Sequence, residues 1–266
     1  IRRLYELWIS KKYDYLPSQI RDYLPSDVFP LNNELEYLRG IHQLSLIGFK
    51  PILPKEFLNT ITKSILENIS DIVKTNPKEY IGLTEFFVEK GLLDNYESRI
   101  LEMLKSFVDK YPFFITAIGL EYYKEKPDLI NKGTTTTSFE DIKHFYLDCF
   151  ETIGEIITLI VSYNNLKYRN DFMIMQNSSF SNIISLQDYI DKMQNKGNRI
   201  KFCETNEVFN QIIKLDNDNG LRNAIGHGSY SYDGVTQIIK YFSSGKIQKG
   251  EEEQIYLVEF IQKTWL

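Results

Sequence analysis

A long apolar stripe constrains this chain more than any other feature. Ile142, Phe145, Tyr146, Cys149, Ile153, Ile156, Ile157 and Ile160 keep i, i+3, i+4 spacing over several turns, the period of an amphipathic helix. Ser138 and Asp141 precede it in a capping arrangement, with the Ser oxygen expected to accept orphan backbone N–H groups. A helix of this kind buries its stripe against other helices. The chain therefore reads as mainly α.

The sequence upstream reads as helices separated by prolines. Tyr15-Leu16-Pro17-Ser18 and Tyr23-Leu24-Pro25-Ser26 echo each other and are expected to be two helix-breaking turns. Leu35, Leu38, Ile41 and Leu44 predict a helix over residues 33–47. Pro54 opens the next, with Phe57, Leu58, Ile61, Ile65, Ile69 and Ile72 on one face. Residues 95–123 read as a helix bent at Pro112. Residues 131–138 carry no large apolar side chain and read as a linker. This divides the chain into a helical N-terminal region over residues 1–132, a candidate regulatory region, and a domain over residues 139–266.

Within that second part, residues 183–193 and 207–215 are expected to be helical. Asp216-Asn217-Asp218-Asn219-Gly220 is a turn signal. Tyr230-Ser231-Tyr232 and residues 235–242 read as strands joined at Asp233-Gly234, a short β-hairpin near the C-terminus. Residues 255–265 close the chain as a strand or a short helix.

Composition narrows the functions open to such a chain. Its 18 Tyr and 17 Phe supply a sizeable core, which argues against disorder. A net charge of -5 does not fit a surface coated with cations for nonspecific nucleic-acid binding, so any RNA contact is confined to a cleft. Cys149 and Cys203 read as small buried hydrophobes in a reducing cytoplasm, and no Cys/His cluster has zinc-ligand spacing. No metal or cofactor is expected. Apolar runs such as residues 156–161 are far too short to cross a bilayer, so no membrane association is expected. The first residue is Ile1 and no apolar signal region follows it, which reads as a piece of a longer product with upstream domains missing.

The candidate chemistry lies in Leu221-Arg222-Asn223-Ala224-Ile225-Gly226-His227-Gly228, directly after the turn signal. At about 100° per residue, Leu221, Ala224, Ile225 and Gly228 share one face of a helix, and Arg222, Asn223, Gly226 and His227 share the other. Arg222 and His227 flank the polar face roughly 140° apart, with Gly226 leaving space between them. Fraying near Gly228 is expected to free His227. Arg offers a permanently charged fork for phosphate oxygens, and His exchanges a proton near neutral pH. Asn223 is placed to orient the imidazole or a phosphate oxygen. In RNA the 2′-hydroxyl is an internal nucleophile, so cleavage requires no metal-bound water. One His does not easily serve both sides of the phosphorus, and two copies of the motif across a two-fold axis share the task.

At these residues the chain resembles the HEPN superfamily, whose signature is Arg, four to six residues, then His. Arg222 is followed by a polar Asn223, as is typical of that family, and His227 closes the spacing. The resemblance covers roughly the C-terminal half. It implies a helical bundle, dimerisation through the motif helix, and metal-independent endoribonuclease activity carried by Arg222, Asn223 and His227. It also implies a toxin or anti-phage effector acting on RNA, with an antitoxin or regulatory partner. HEPN toxins paired with nucleotidyltransferase antitoxins place a Tyr two residues after the His; here Ser229 stands there and Tyr230 follows.

The competing reading is a catalytically inactive HEPN-like helical module that binds RNA, a nucleotide or a partner protein. Blander expectations stand beside the motif. His42 and His144 read as structural. Asp148, Glu151 and Glu155 read as a solvated acidic face, or as supplying a carboxylate that orients His227. Glu251-Glu252-Glu253 reads as a solvated turn. Lys240, Lys246 and Lys249 read as scattered exposed lysines or as an aid to holding RNA.

Overall fold

The computed structural model describes residues 1–54, 61–120, 122–123, 125, 128–129, 132–212, 219–243 and 252–265. The fold is mainly α, with a small antiparallel sheet near the C-terminus. Its spine is a pair of long helices, α6 (Leu92–Leu120) and α7 (Phe139–Arg169). The predicted stripe on α7 is the reason for its length: Ile142, Phe145, Tyr146 and Ile157 are buried. The expected cap at Ser138 and Asp141 is present as a capping box. The Asp141 carboxylate accepts both the Ser138 backbone N–H and the Ser138 hydroxyl, each at 2.8 Å. The Ser138 side chain also accepts from the Asp141 backbone, so the capping box closes as expected and the acid occupies the positive end of the helix dipole.

Six shorter helices surround the spine: α1 (Arg2–Ile9), α2 (Leu16–Arg21), α3 (Glu34–Phe49), α4 (Thr62–Thr75), α5 (Pro77–Glu89) and α8 (Leu186–Lys192). Pro17 does not break a helix. It sits in the first turn of α2, where its missing N–H forfeits no hydrogen bond. On α4, Ile72 is buried and Ile65 and Ile69 are half-buried, as is Ile61 just before it; Phe57 and Leu58, expected on the same face, lie outside the described residues. A short helix, α9 (Val208–Ile212), precedes the motif, and residues 213–218 of the expected helix and turn also lie outside the described part.

Three buried clusters hold the elements together. The first joins Phe107 and Phe114 of α6, Phe139, Ile142 and Phe145 of α7, and Leu221, Ala224 and Ile225 of the motif helix. Its rings meet in mixed geometries: Phe114 and Phe145 edge-on at 5.5 Å, Phe107 and Trp265 stacked at 5.2 Å. The second packs Ile157, Val161 and Leu166 of α7 against α4, α5 and α8. The third packs α1, α2 and α3 on Leu101 of α6. Residues 1–132 and 139–266 therefore share cores through the α6–α7 pair.

The C-terminal β-structure is a three-stranded sheet in order β1 (Tyr230–Asp233), β2 (Ile238–Phe242), β3 (Glu252–Tyr256), all antiparallel. Residues 235–237 are not strand. Asp233 pairs with Ile238, and the chain turns through four residues because the Asp233 carboxylate accepts the Val235 N–H at 2.9 Å and the Thr236 hydroxyl at 2.8 Å. Glu252 and Glu253 lie in β3 and not in a turn, because β2 answers them: Lys240 lies 3.3 Å from Glu252 and the Tyr241 hydroxyl donates to Glu253 at 3.0 Å. A final helix, α11 (Leu257–Trp265), follows β3 directly and buries Leu257, Phe260 and Ile261 in the first cluster. The loop before α7 is tied to this sheet. Thr134 donates its N–H to Gln237 at 2.8 Å and accepts from the Gln237 amide at 2.6 Å.

Candidate functional site

The motif forms helix α10 (Asn219–His227). Leu221, Ala224 and Ile225 are buried in the first cluster, which fixes the rotation of the helix. Arg222 and Asn223 are half-buried and Gly226 and His227 are exposed, the two-faced division the sequence predicts. Gly228 departs from that division. It is exposed because it lies past the helix end, with φ +69.

That end is stapled and not frayed. The Ser229 N–H donates to the Ala224 carbonyl at 2.8 Å and the Gly228 N–H to the Ile225 carbonyl at 3.3 Å, the paired bonds of a Schellman motif. Ser229 is buried, and its carbonyl accepts the Phe242 N–H of β2 at 3.2 Å. His227 therefore sits at a fixed helix terminus, between a core-packed turn and the sheet. Its imidazole has no hydrogen-bond partner among the described residues.

Arg222 is engaged. Its Nη2 donates to Glu151 of α7, its Nη1 donates to Asn223 Oδ1 at 3.2 Å, and the guanidinium lies 5.7 Å from the centre of the Phe150 ring. The side chain keeps 28% of its surface exposed, so it is not sealed inside. Gly226 leaves the face beside it open: a Cβ there would meet only the guanidinium, at 3.7 Å. Asn223 orients Arg222 and makes no bond to the imidazole.

Glu151 belongs to a longer chain of charges. Lys196 Nζ lies 2.7 Å from Glu151 Oε2 and 2.9 Å from Glu155 Oε1, and Arg99 Nε lies 2.9 Å from Glu155 Oε2. Burial pushes the Glu151 carboxyl up, but hydrogen bonds from Lys196 and Arg222 outweigh it and hold the group below its ordinary range. Glu151 and Glu155 are thus neither a solvated face nor partners of His227; they serve cations. Asp148 alone of the three acids is exposed.

Lys196, Arg99 and Gly154 escaped the sequence reading. Their contacts join residues far apart in the chain, and no local spacing announces them. Lys196 opens a 3-10 segment, Lys196–Phe202, that lies close against α7. A Cβ at Gly154 would stand 2.7 Å from Lys196 Cβ, so this approach requires a glycine.

Beside Glu151 runs a groove of about 280 Å³ between α6 and α7, lined by Arg99, Glu102, Met103, Phe145, Asp148 and Thr152 among others. Its charged lining is Glu102, Asp148 and Glu151 against the cation Arg99, and neither Arg222 nor His227 lines it. Burial pushes the thiols of Cys149 and Cys203 up to about 12, which removes both as nucleophiles near neutral pH. Among the described residues no group of His, Cys, Asp and Glu could hold a metal ion. His42 and His144 are exposed on α3 and α7. Tyr230 packs on Phe139 and accepts from Lys143 at 3.0 Å. Lys246, Lys249 and Glu251 lie outside the described residues. No helix among them is long and apolar enough to cross a membrane.

No protein family, curated protein or solved structure matches the chain.

Proposed function

We propose that this chain is a metal-independent endoribonuclease of the HEPN type, with His227 as the proton-transfer group and Arg222 as the phosphate-binding group. The observation that carries this reading is the exposed imidazole of His227, unpartnered among the described residues, at a stapled helix end, with a permanent cation on the same helix and the open backbone of Gly226 beside it. The internal nucleophile of RNA accounts for the rest. A base takes the 2′-hydroxyl proton, the 2′-oxygen bonds to phosphorus, and the 5′-oxygen leaves with a proton from an acid. Arg222 stabilises the charge that builds on the non-bridging oxygens. Asn223 holds one arm of that guanidinium and so acts through it. A second copy of the chain supplies the second imidazole across a two-fold axis. The resemblance adds the setting of a toxin or anti-phage effector, restrained by an antitoxin or other regulatory partner.

A second reading, a non-catalytic module that binds RNA, a nucleotide or a partner protein, is favoured by the Arg222–Glu151 pair, which occupies the cation a phosphate would need. One experiment separates the two. Purified protein is incubated with RNA in excess EDTA, alongside His227→Ala and Arg222→Ala variants whose helicity is checked by circular dichroism. Cleavage by the wild type, lost in folded His227→Ala, supports the enzyme. Undiminished cleavage by that variant defeats it, and RNA retention without product favours the module.

A further inference from the structure

Lys196 has no open valence for a substrate. An ammonium carries three donors, and here they face Glu151 Oε2 at 2.7 Å, Glu155 Oε1 at 2.9 Å and the Glu151 carbonyl at 3.3 Å. The group is held as a strut. Arg199 fixes the same segment by donating to the Gly154 carbonyl at 3.0 Å and the Met193 carbonyl at 3.2 Å. Gly154 clears the space the strut needs, and Arg99 holds Glu155 from its far side. This machinery ends on one oxygen of Glu151. Its other oxygen receives Arg222.

A carboxylate with both oxygens free takes a guanidinium as a two-bond fork, the strongest geometry open to the pair. Dividing the oxygens between Lys196 and Arg222 prevents this. Arg222 is oriented by a single carboxylate oxygen, by Asn223 and by the Phe150 ring, and a phosphate has only one such bond to displace. We infer that Lys196 is a positioning residue that keeps Arg222 half-paired with Glu151 and thereby open to an anion. The inference rests on the proposed role of Arg222 as the phosphate-binding group, and it names the residue that sets its availability.

The test needs no cleavage. The Arg222 side-chain N–H signal, identified by its loss in Arg222→Gln, is followed by NMR during titration of the full chain with inorganic phosphate. Phosphate is expected to shift it in the wild type. Lys196→Met and Lys196→Gln weaken the apparent affinity by roughly three- to tenfold, and Lys196→Arg retains it. Glu151→Gln tightens binding, and Lys196→Met adds nothing in that background. A strut of merely structural importance would weaken binding in both backgrounds, and that outcome overturns the inference. So does an Arg222 signal indifferent to phosphate, or an unchanged affinity in both folded Lys196 variants. If the titrations behave as described while no RNA is cut in EDTA, the nuclease reading fails and the positioning role stands.

Discussion

Gly226 and Gly228 stand two positions apart and answer to different constraints. Gly226 is helical, and a methyl group there meets only the Arg222 guanidinium at an ordinary contact distance of 3.7 Å. Gly226→Ala is therefore expected to fold normally and to gain about 0.4–1 kcal/mol from the reduced freedom of the unfolded chain. The same methyl group fills the face on which a phosphate would lie. On the ribonuclease reading, cleavage falls by about tenfold or more while the melting temperature holds or rises. A variant that is stable and fully active would show that the open face at Gly226 has no part in catalysis. Gly228 instead adopts φ +69 in the Schellman turn. There Gly228→Ala costs about 1–2 kcal/mol, because a Cβ is strained in the left-handed region. Denaturant unfolding of the two variants should give shifts of opposite sign.

At the scale of elements, α10 is anchored to α7 in two ways: by Leu221, Ala224 and Ile225 in the core, and by the Arg222–Glu151 pair at its edge. The second anchor depends on pH. Glu151 is held below its ordinary range when folded, so its pairing stabilises the protein above the unfolded carboxyl value, about 4.3, and is lost as pH falls through the lower folded value. The melting-temperature gap between wild type and Glu151→Gln should be level from about pH 7 to pH 5 and shrink below about pH 4. A gap that persists undiminished in acid would mean that the glutamate acts by packing and not by charge. These two anchors were not equally legible in the sequence. The core face of α10 and the stripe of α7 follow from a period of 3.6, which each helix carries within itself. The pairing of Glu151 with Arg222, and of Lys196 with both glutamates, is set by how α7, α10 and the Lys196 segment pack, and no local pattern encodes it. The hairpin near the C-terminus was legible and is present, but its turn and the third strand beside it were not, for a related reason. Val235 looks like a strand residue, but the Asp233 side chain captures the turn and leaves Val235 93% exposed. Glu252 and Glu253 look like a turn until Lys240 and Tyr241 lie beside them.

For the whole molecule, the decisive quantity on the ribonuclease reading is the number of imidazoles at a scissile phosphate. Each chain brings one candidate, His227, and in-line displacement asks for a base on one side of the phosphorus and an acid on the other. A site assembled from two chains supplies both, and a dimer with one His227 removed then has a broken site even though its other chain is intact. Wild type and His227→Ala mixed in equal amounts, and given time to exchange subunits, would leave only about a quarter of the dimers with both imidazoles. Cleavage should fall to that fraction of the activity of the same total concentration of wild-type protein. Two chains working independently would retain about half, because half the chains are unaltered. Mass analysis of the exchanged mixture establishes that mixed dimers formed. If they did form, half-activity would refute a shared site while leaving His227 catalytic within each chain. Retention near a quarter would mean that the catalytic unit is the pair, with the exposed end of α10 as the place where the chains meet.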